Sequence, residues 1–238
     1  MSKLIDLVEG LLHGEYRGRD FLRQDSPLIS SRTFVLLILI QGAVYGACMS
    51  LYGLKWGVEY GGQHVTAVMV KVPCLFLLTL LVTAPSLYVF SSLAGSKLKL
   101  GQTVRLLLAS TALSLAVLMS FAPVTAFFTF STKSHPFMQL LNAVVFTVSG
   151  VIGMHFVKKR LAEALQPEDT DGDSPRPARP PALTFLLFVW FVIYGSVAGQ
   201  MGWILRPFVG TPHMPQELFR ETEKNIFYGL GQALKFLD

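Results

Sequence analysis

The sequence predicts an all-α integral membrane bundle of five transmembrane helices, with amphipathic interfacial helices at its N- and C-terminal ends. Three observations lead there. Of 238 residues, 52% are hydrophobic and only 15% charged, against about 25% charged in soluble domains. Mean hydropathy is +0.50. The charges are clustered, which leaves five stretches long enough to cross a bilayer, a task that takes about 20 apolar residues. No Asp, Glu, Lys or Arg is expected at the centre of any of them. This composition argues against a soluble enzyme, a disordered chain and a nucleic-acid-binding domain. The net charge of +5 comes from basic residues that flank apolar segments and form no patch interleaved with exposed aromatics.

Taken in order, residues 1–31 form a cytoplasmic amphipathic segment. Leu4, Leu7, Val8, Leu11 and Leu12 recur at helical spacing, with Lys3, Asp6 and Glu9 elsewhere on the wheel. Asp6, Glu9, Glu15, Arg17, Arg19 and Asp20 interrupt any secretory apolar core. Residues 32–157 hold four transmembrane helices, expected at 33–54, 72–93, 104–130 and 136–157. Residues 158–181 are a cytoplasmic linker rich in Pro and acid, reading QPEDTDGDSPRPARPP from Gln166, which has too little apolar surface to bury. Its Asp169, Asp171 and Asp173 lack the glycine placement and closing glutamate of a calcium loop. The fifth transmembrane helix occupies 182–206, its apolar run ending at Leu205. Residues 207–238 form an external amphipathic helix, with Leu218, Phe219, Ile226, Phe227 and Leu230 as its apolar stripe.

Orientation follows from the basic residues. Thirteen Lys and Arg fall in the N-terminal segment, the second connection and the fourth, and seven fall on the opposite side, where Lys55, Lys71 and Lys133 are counted. That excess puts the N-terminus in the cytoplasm and the C-terminus outside.

Small residues mark where helices meet. Gly42 and Gly46 lie four apart on the first span, Gly195 and Gly199 on the fifth, and such spacing lets backbones approach closely. Either a subunit interface or internal packing uses them. Pro85 and Pro123 each remove a backbone hydrogen bond and are expected to kink the second and third spans. Thr79, Thr83 and Ser86 stand near enough to help satisfy the backbone around Pro85. The deepest polar groups are Gln41, Asn142 and Gln200, and His155 is expected near the cytoplasmic interface. Cys48 and Cys74 are read as small buried hydrophobes.

Reaction chemistry is sparse. The chain has no His-Glu-x-x-His, Gly-x-Ser-x-Gly or phosphate loop, and His13, His64, His135 and His213 are scattered over both membrane sides. No catalytic set, cofactor or metal site is expected. After the fifth span comes a corner, with Trp203 and Arg206 suited to the interface, Pro207 ending the helix and Gly210 turning the chain.

This corner, reading Gly202-Trp203-Ile204-Leu205-Arg206-Pro207-Phe208-Val209-Gly210, together with Lys71-Val72-Pro73 and Ala84-Pro85-Ser86-Leu87-Tyr88, resembles an uncharacterised family of bacterial polytopic membrane proteins. The resemblance implies a bacterial cytoplasmic membrane location and no known reaction. In architecture alone, five spans with a cytoplasmic N-terminus are similar to the Yip-type proteins of vesicle membranes.

The expected function is a non-enzymatic membrane scaffold or accessory subunit. Its partners would be the bilayer and other proteins or a second copy of the chain, with no nucleic acid. The competing expectation is a small permease or lipid carrier, with Pro85, Pro123, Asn142 and Gln200 around a midplane cavity. An interfacial lipid-modifying enzyme is a third.

Overall fold

A computed structural model describes residues 30–56, 61–93, 98–164 and 181–205, together with Gly10 and Phe208. Every element among these residues is a helix: α1 Ser31–Lys55, α2 Gly61–Leu93, α3 Leu100–Ser120, α4 Ala122–Ser131, α5 His135–Ala164 and α6 Pro181–Leu205. With α3 and α4 taken as one run, five helices are long and apolar enough to cross a membrane. Most of the N-terminal segment, the linker and the C-terminal amphipathic segment lie outside the described residues, as do Arg206, Pro207 and Gly210.

The centre of the molecule is α1, α2 and α3, each packed on the other two. α1 starts where the Ser30 hydroxyl accepts the Arg32 N–H. Its glycines then determine how it packs. A Cβ at Gly42 would lie 3.0 Å from the Pro73 ring, and one at Gly46 only 2.7 Å from the Val68 carbonyl oxygen. The Gly42–Gly46 face is therefore pressed against α2 within this chain, antiparallel, with Pro73 seated on the bare backbone of α1.

α3 opens where the Lys99 N–H donates to Gln102 Oε1 at 2.8 Å. It is buried along nearly its whole length. The helix breaks at Phe121, whose N–H turns back to the Leu118 carbonyl, and α4 restarts at Ala122. Pro123, now the second residue of a new helix, needs no intrahelical donor there. The expected single span 104–130 is thus two helices end to end. α2 differs in that it runs unbroken through Pro73 and Pro85.

The hydroxyls near Pro85 do not serve the carbonyl that the proline frees, that of Leu81. Thr79 donates to Leu75 O, Thr83 to Thr79 O and Ser86 to Thr83 O, each at 2.7 Å. The Trp190 indole of α6 also reaches this site, donating to Thr83 O and Ser86 Oγ at 3.3 and 3.2 Å.

α5 packs on α3 through Gly153, where a Cβ would collide with the Ser114 hydroxyl and lie 3.1 Å from Ser110 O. At the opposite end Tyr52 donates to the Lys133 carbonyl at 2.6 Å. There Lys55 lies 4.8 Å from the Trp56 ring centre and Lys133 5.2 Å from it. Around the outside, Leu81, Phe127, Leu140, Val151, Phe185 and Phe188 are exposed. Large apolar side chains exposed in this number call for lipid or a partner surface around them.

One expectation is overturned. The expected span begins at residue 72 and leaves Lys71 in a connection, but α2 begins eleven residues earlier, at Gly61, and Lys71 lies within it, 6% exposed. It falls between Val68 and Pro73, which face Gly46 and Gly42. Those glycines bracket Ala43, the midpoint of α1. At 1.5 Å per residue, Lys71 is about 18 Å from either end of α1. The helices are not free of charge at their centre.

Candidate binding cavity

α5 hangs from α3 on one side of the core, and α6 rests on α2 on another. Among the described residues these two outer helices barely meet. The space between them is a cavity of about 650 Å³, floored by Leu75, Phe76 and Thr79 of α2 and by Met49 of α1. Its size falls within the range of about 300–1,000 Å³ usual for small-molecule sites.

Glycine makes the room. Gly150 on the α5 wall and Gly195 on the α6 wall would each carry a Cβ into open space, with no atom within 4 Å. Gly199 and Gly202 continue the α6 wall. The two glycine pairs singled out in the sequence thus have different surroundings. Gly42 and Gly46 pack against α2, whereas Gly195 and Gly199 line the cavity.

The walls are apolar in effect. Thr79 and Thr147 line the cavity, yet their hydroxyls donate to Leu75 O and Ala143 O of their own helices at 2.7 and 2.8 Å. Among the described residues no Asp, Glu, Lys, Arg or His lines it. Polarity gathers at one end, where Gln139 and Asn142 stand three residues apart on α5. Val151 and Met154 line the other, about 22 Å along the helix from Gln139.

Asn142 is fixed by two bonds. Its Nδ2 donates to Met138 O at 2.7 Å, and its Oδ1 accepts the Tyr45 hydroxyl of α1 at 2.7 Å. Tyr45 is fully buried, in hydrogen-bond contact with Thr125 and edge-on to Phe146. A carboxamide has two N–H donors, so one Asn142 N–H remains beyond the bond to Met138. Gln139 is exposed on the cavity wall with both ends of its amide available.

Phe208 also lines the cavity, and its carbonyl contacts His64 Nε2 of α2 at 3.2 Å. Trp203 is half-buried near the end of α6. No family model, curated protein or solved structure matches this chain. Function therefore has to be read from the cavity itself.

Of the residues in the carrier expectation, Asn142 lines the cavity, but Gln200, Pro85 and Pro123 do not. His155 is exposed on α5. Among the described residues no three His, Cys, Asp or Glu side chains gather as a metal ion would require. Cys48 and Cys74 are free thiols, each half-buried.

Sequence reasoning missed Gly150, Gly153, Trp190 and the depth of Lys71. The signal for the first two was present, since Ser149, Gly150 and Gly153 form a cluster of small residues on an apolar helix. For Lys71 it was the run Val65-Thr66-Ala67-Val68-Met69-Val70, as apolar before the lysine as the chain is after it.

Proposed function

We propose that this chain is an integral membrane protein that binds a lipid chain in the cavity between α5 and α6, serving as a lipid carrier or lipid-binding subunit. The observation that carries the reading is the cavity. Its lining is mostly apolar and widened by glycines, with the carboxamides of Gln139 and Asn142 at one end and the Tyr194 phenol also on the wall. In a bilayer such a space would not stay empty, because lipid tails are the apolar solvent around it. Its walls lie between helices whose outer faces are themselves apolar.

The membrane setting rests on the five long apolar helices. The lysine and arginine excess puts the N-terminal side in the cytoplasm. Moving Lys71 out of a connection removes one charge from the lesser side and strengthens that orientation. A bacterial cytoplasmic membrane fits the resemblance of the Trp203–Gly210 corner.

The test fills the cavity. Gly195→Phe places a ring where a Cβ meets no atom within 4 Å, so the fold has room for it. Protein extracted in mild detergent and examined by native mass spectrometry should retain lipid, and Gly195→Phe should lose most of it at unchanged thermal stability. Equal lipid retention by the two proteins, or none by wild type, would refute the proposal. Retention of a second polypeptide in place of lipid would refute it in favour of a scaffold.

A further inference from the structure

Asn142 is only 5% exposed, yet the bonds to Met138 and Tyr45 leave one of its N–H donors over, and it lines the cavity. A donor kept in a mostly apolar wall is costly unless something in the cavity accepts from it. Gln139, one turn away, adds a carboxamide with both its N–H donors and its oxygen available.

Two contacts give the depth of this end. Tyr45, the donor to Asn142, stands two residues from Ala43 at the midpoint of α1. α5 starts, as α2 does, at the Tyr52 end of α1. Phe146 of α5 stacks on Phe76 of α2 at 5.9 Å between ring centres, so Asn142, one turn earlier, is level with the α2 turn that seats Pro73 on Gly42. Asn142 is therefore about 18 Å from either end of α1, which in a bilayer with a hydrocarbon core of about 30 Å is near the mid-plane.

A charged head group at that depth needs a counter-charge, and among the described residues the wall supplies none. Lys71 stands at a similar height, but it is not part of the wall and has an interaction of its own within the chain. What the wall supplies is uncharged: two carboxamides at one end and, toward the other, the phenol of Tyr194, whose ring lies 5.3 Å from that of Trp190.

Resting on the lipid-binding reading, we infer that the ligand is an uncharged ester lipid, an acylglycerol, with its head at Gln139 and Asn142 and its chain running toward Met154. The ester carbonyl accepts from the carboxamide N–H groups, and the glycerol hydroxyls donate to the Gln139 oxygen. A carboxamide offers both donor and acceptor, and an acylglycerol head carries both in return without a charge to desolvate.

Trp190, beside Tyr194 on the cavity wall, supplies the probe. In a background with Trp56→Phe and Trp203→Phe, in phosphatidylcholine nanodiscs, its fluorescence should be quenched saturably by a monoacylglycerol carrying a dibromostearoyl chain. Affinities are compared per mole of nanodisc lipid. Dibromostearate at alkaline pH, where it is ionised, should bind about tenfold more weakly or worse, because its charge meets no partner on the wall. Dibromooctadecane, which keeps the chain and has no head, should bind about fivefold more weakly, as loss of the net hydrogen bonding implies.

Gln139→Leu, at an exposed position, should weaken the acylglycerol a fewfold and leave the hydrocarbon unchanged. An acid that binds as tightly as the acylglycerol, a hydrocarbon that binds as tightly, or an acylglycerol indifferent to Gln139→Leu overturns the head-group assignment while the lipid reading stands. Absence of saturable quenching by all three probes overturns both.

Discussion

Replacing glycines one at a time by alanine separates the two glycine faces by sign. Every Gly→Ala change within a helix gains up to about 1 kcal/mol of helix propensity. At Gly195 nothing lies within 4 Å of the new Cβ, so that gain is all that remains, and the variant should be as stable as wild type or slightly more so. At Gly46 the new Cβ would stand 2.7 Å from the Val68 carbonyl oxygen and 3.1 Å from Met69 Cα. Those are backbone atoms of a packed helix, which cannot rotate aside, and overpacking of that kind costs about 1–3 kcal/mol. The net loss should be about 0–2 kcal/mol, and because the propensity gain is common to both sites the two variants should differ by the overpacking cost, about 1–3 kcal/mol. Gly42→Ala, facing the Pro73 ring at 3.0 Å, should fall between them. The assay is reversible unfolding by sodium dodecyl sulfate in mixed micelles, followed by tryptophan fluorescence. Equal stability of Gly46→Ala and Gly195→Ala would refute the assignment of the first face to internal packing and the second to open space.

Other substitutions test the remaining contacts. Tyr45→Phe removes the donor to Asn142 Oδ1 and should cost about 1 kcal/mol in the same titration. Adding Asn142→Leu to it should cost less than the sum of the two single changes, and strict additivity would show that the bond is not formed. Trp190→Phe removes the indole donation to α2 and should raise hydrogen exchange in α6 while α1 and α3 stay protected; a uniform rise would count against α6 being separately held. Gly150→Ala, with open space around its Cβ, should leave stability unchanged or raise it by up to about 1 kcal/mol, whereas a loss would mean that α5 has a neighbour there.

The helices were legible because a charge-poor run of twenty or more residues has few other solutions. The predicted ends of the first and fifth spans, 33–54 and 182–205, fall within two residues of α1 and α6. The second span was misjudged because Lys71-Val72-Pro73 reads locally as a boundary, with a charge, a proline and apolar residues after. Tertiary burial overrides that signal: Pro73 packs on Gly42, and the ammonium is held inside the bundle. The break at Phe121 was half legible. Pro123 announced a disturbance, but whether the helix bends or restarts depends on the turn two residues before it. Of the four residues expected around a midplane cavity only Asn142 lines the one observed, and its walls were not legible. Gly195 and Gly199 read the same as Gly42 and Gly46 along the chain, and only the surrounding helices distinguish a face that is covered from one that is open.

The cavity itself follows from an offset between helices. The pairs Gly46–Val68 and Gly42–Pro73 fix α1 against α2 in one antiparallel register, and in that register the start of α1 is level with the region of Pro85. Beyond this point α2 continues to Leu93 without α1 beside it. Trp190 attaches α6 to α2 near that same level, and the contacts of Gly202 with Leu75 and of Phe208 with His64 attach it again some 20 Å higher. Between these attachments α6 presents Tyr194, Gly195, Ala198 and Gly199, which meet the cavity and not a facing helix. α5 cannot close in, because Gly153 has already brought it against α3 at the van der Waals limit. Two helices held by their own close contacts to different parts of the core leave a gap that neither can fill without breaking those contacts. The gap is therefore a property of the packing, and the glycines along it keep the space that the packing opens.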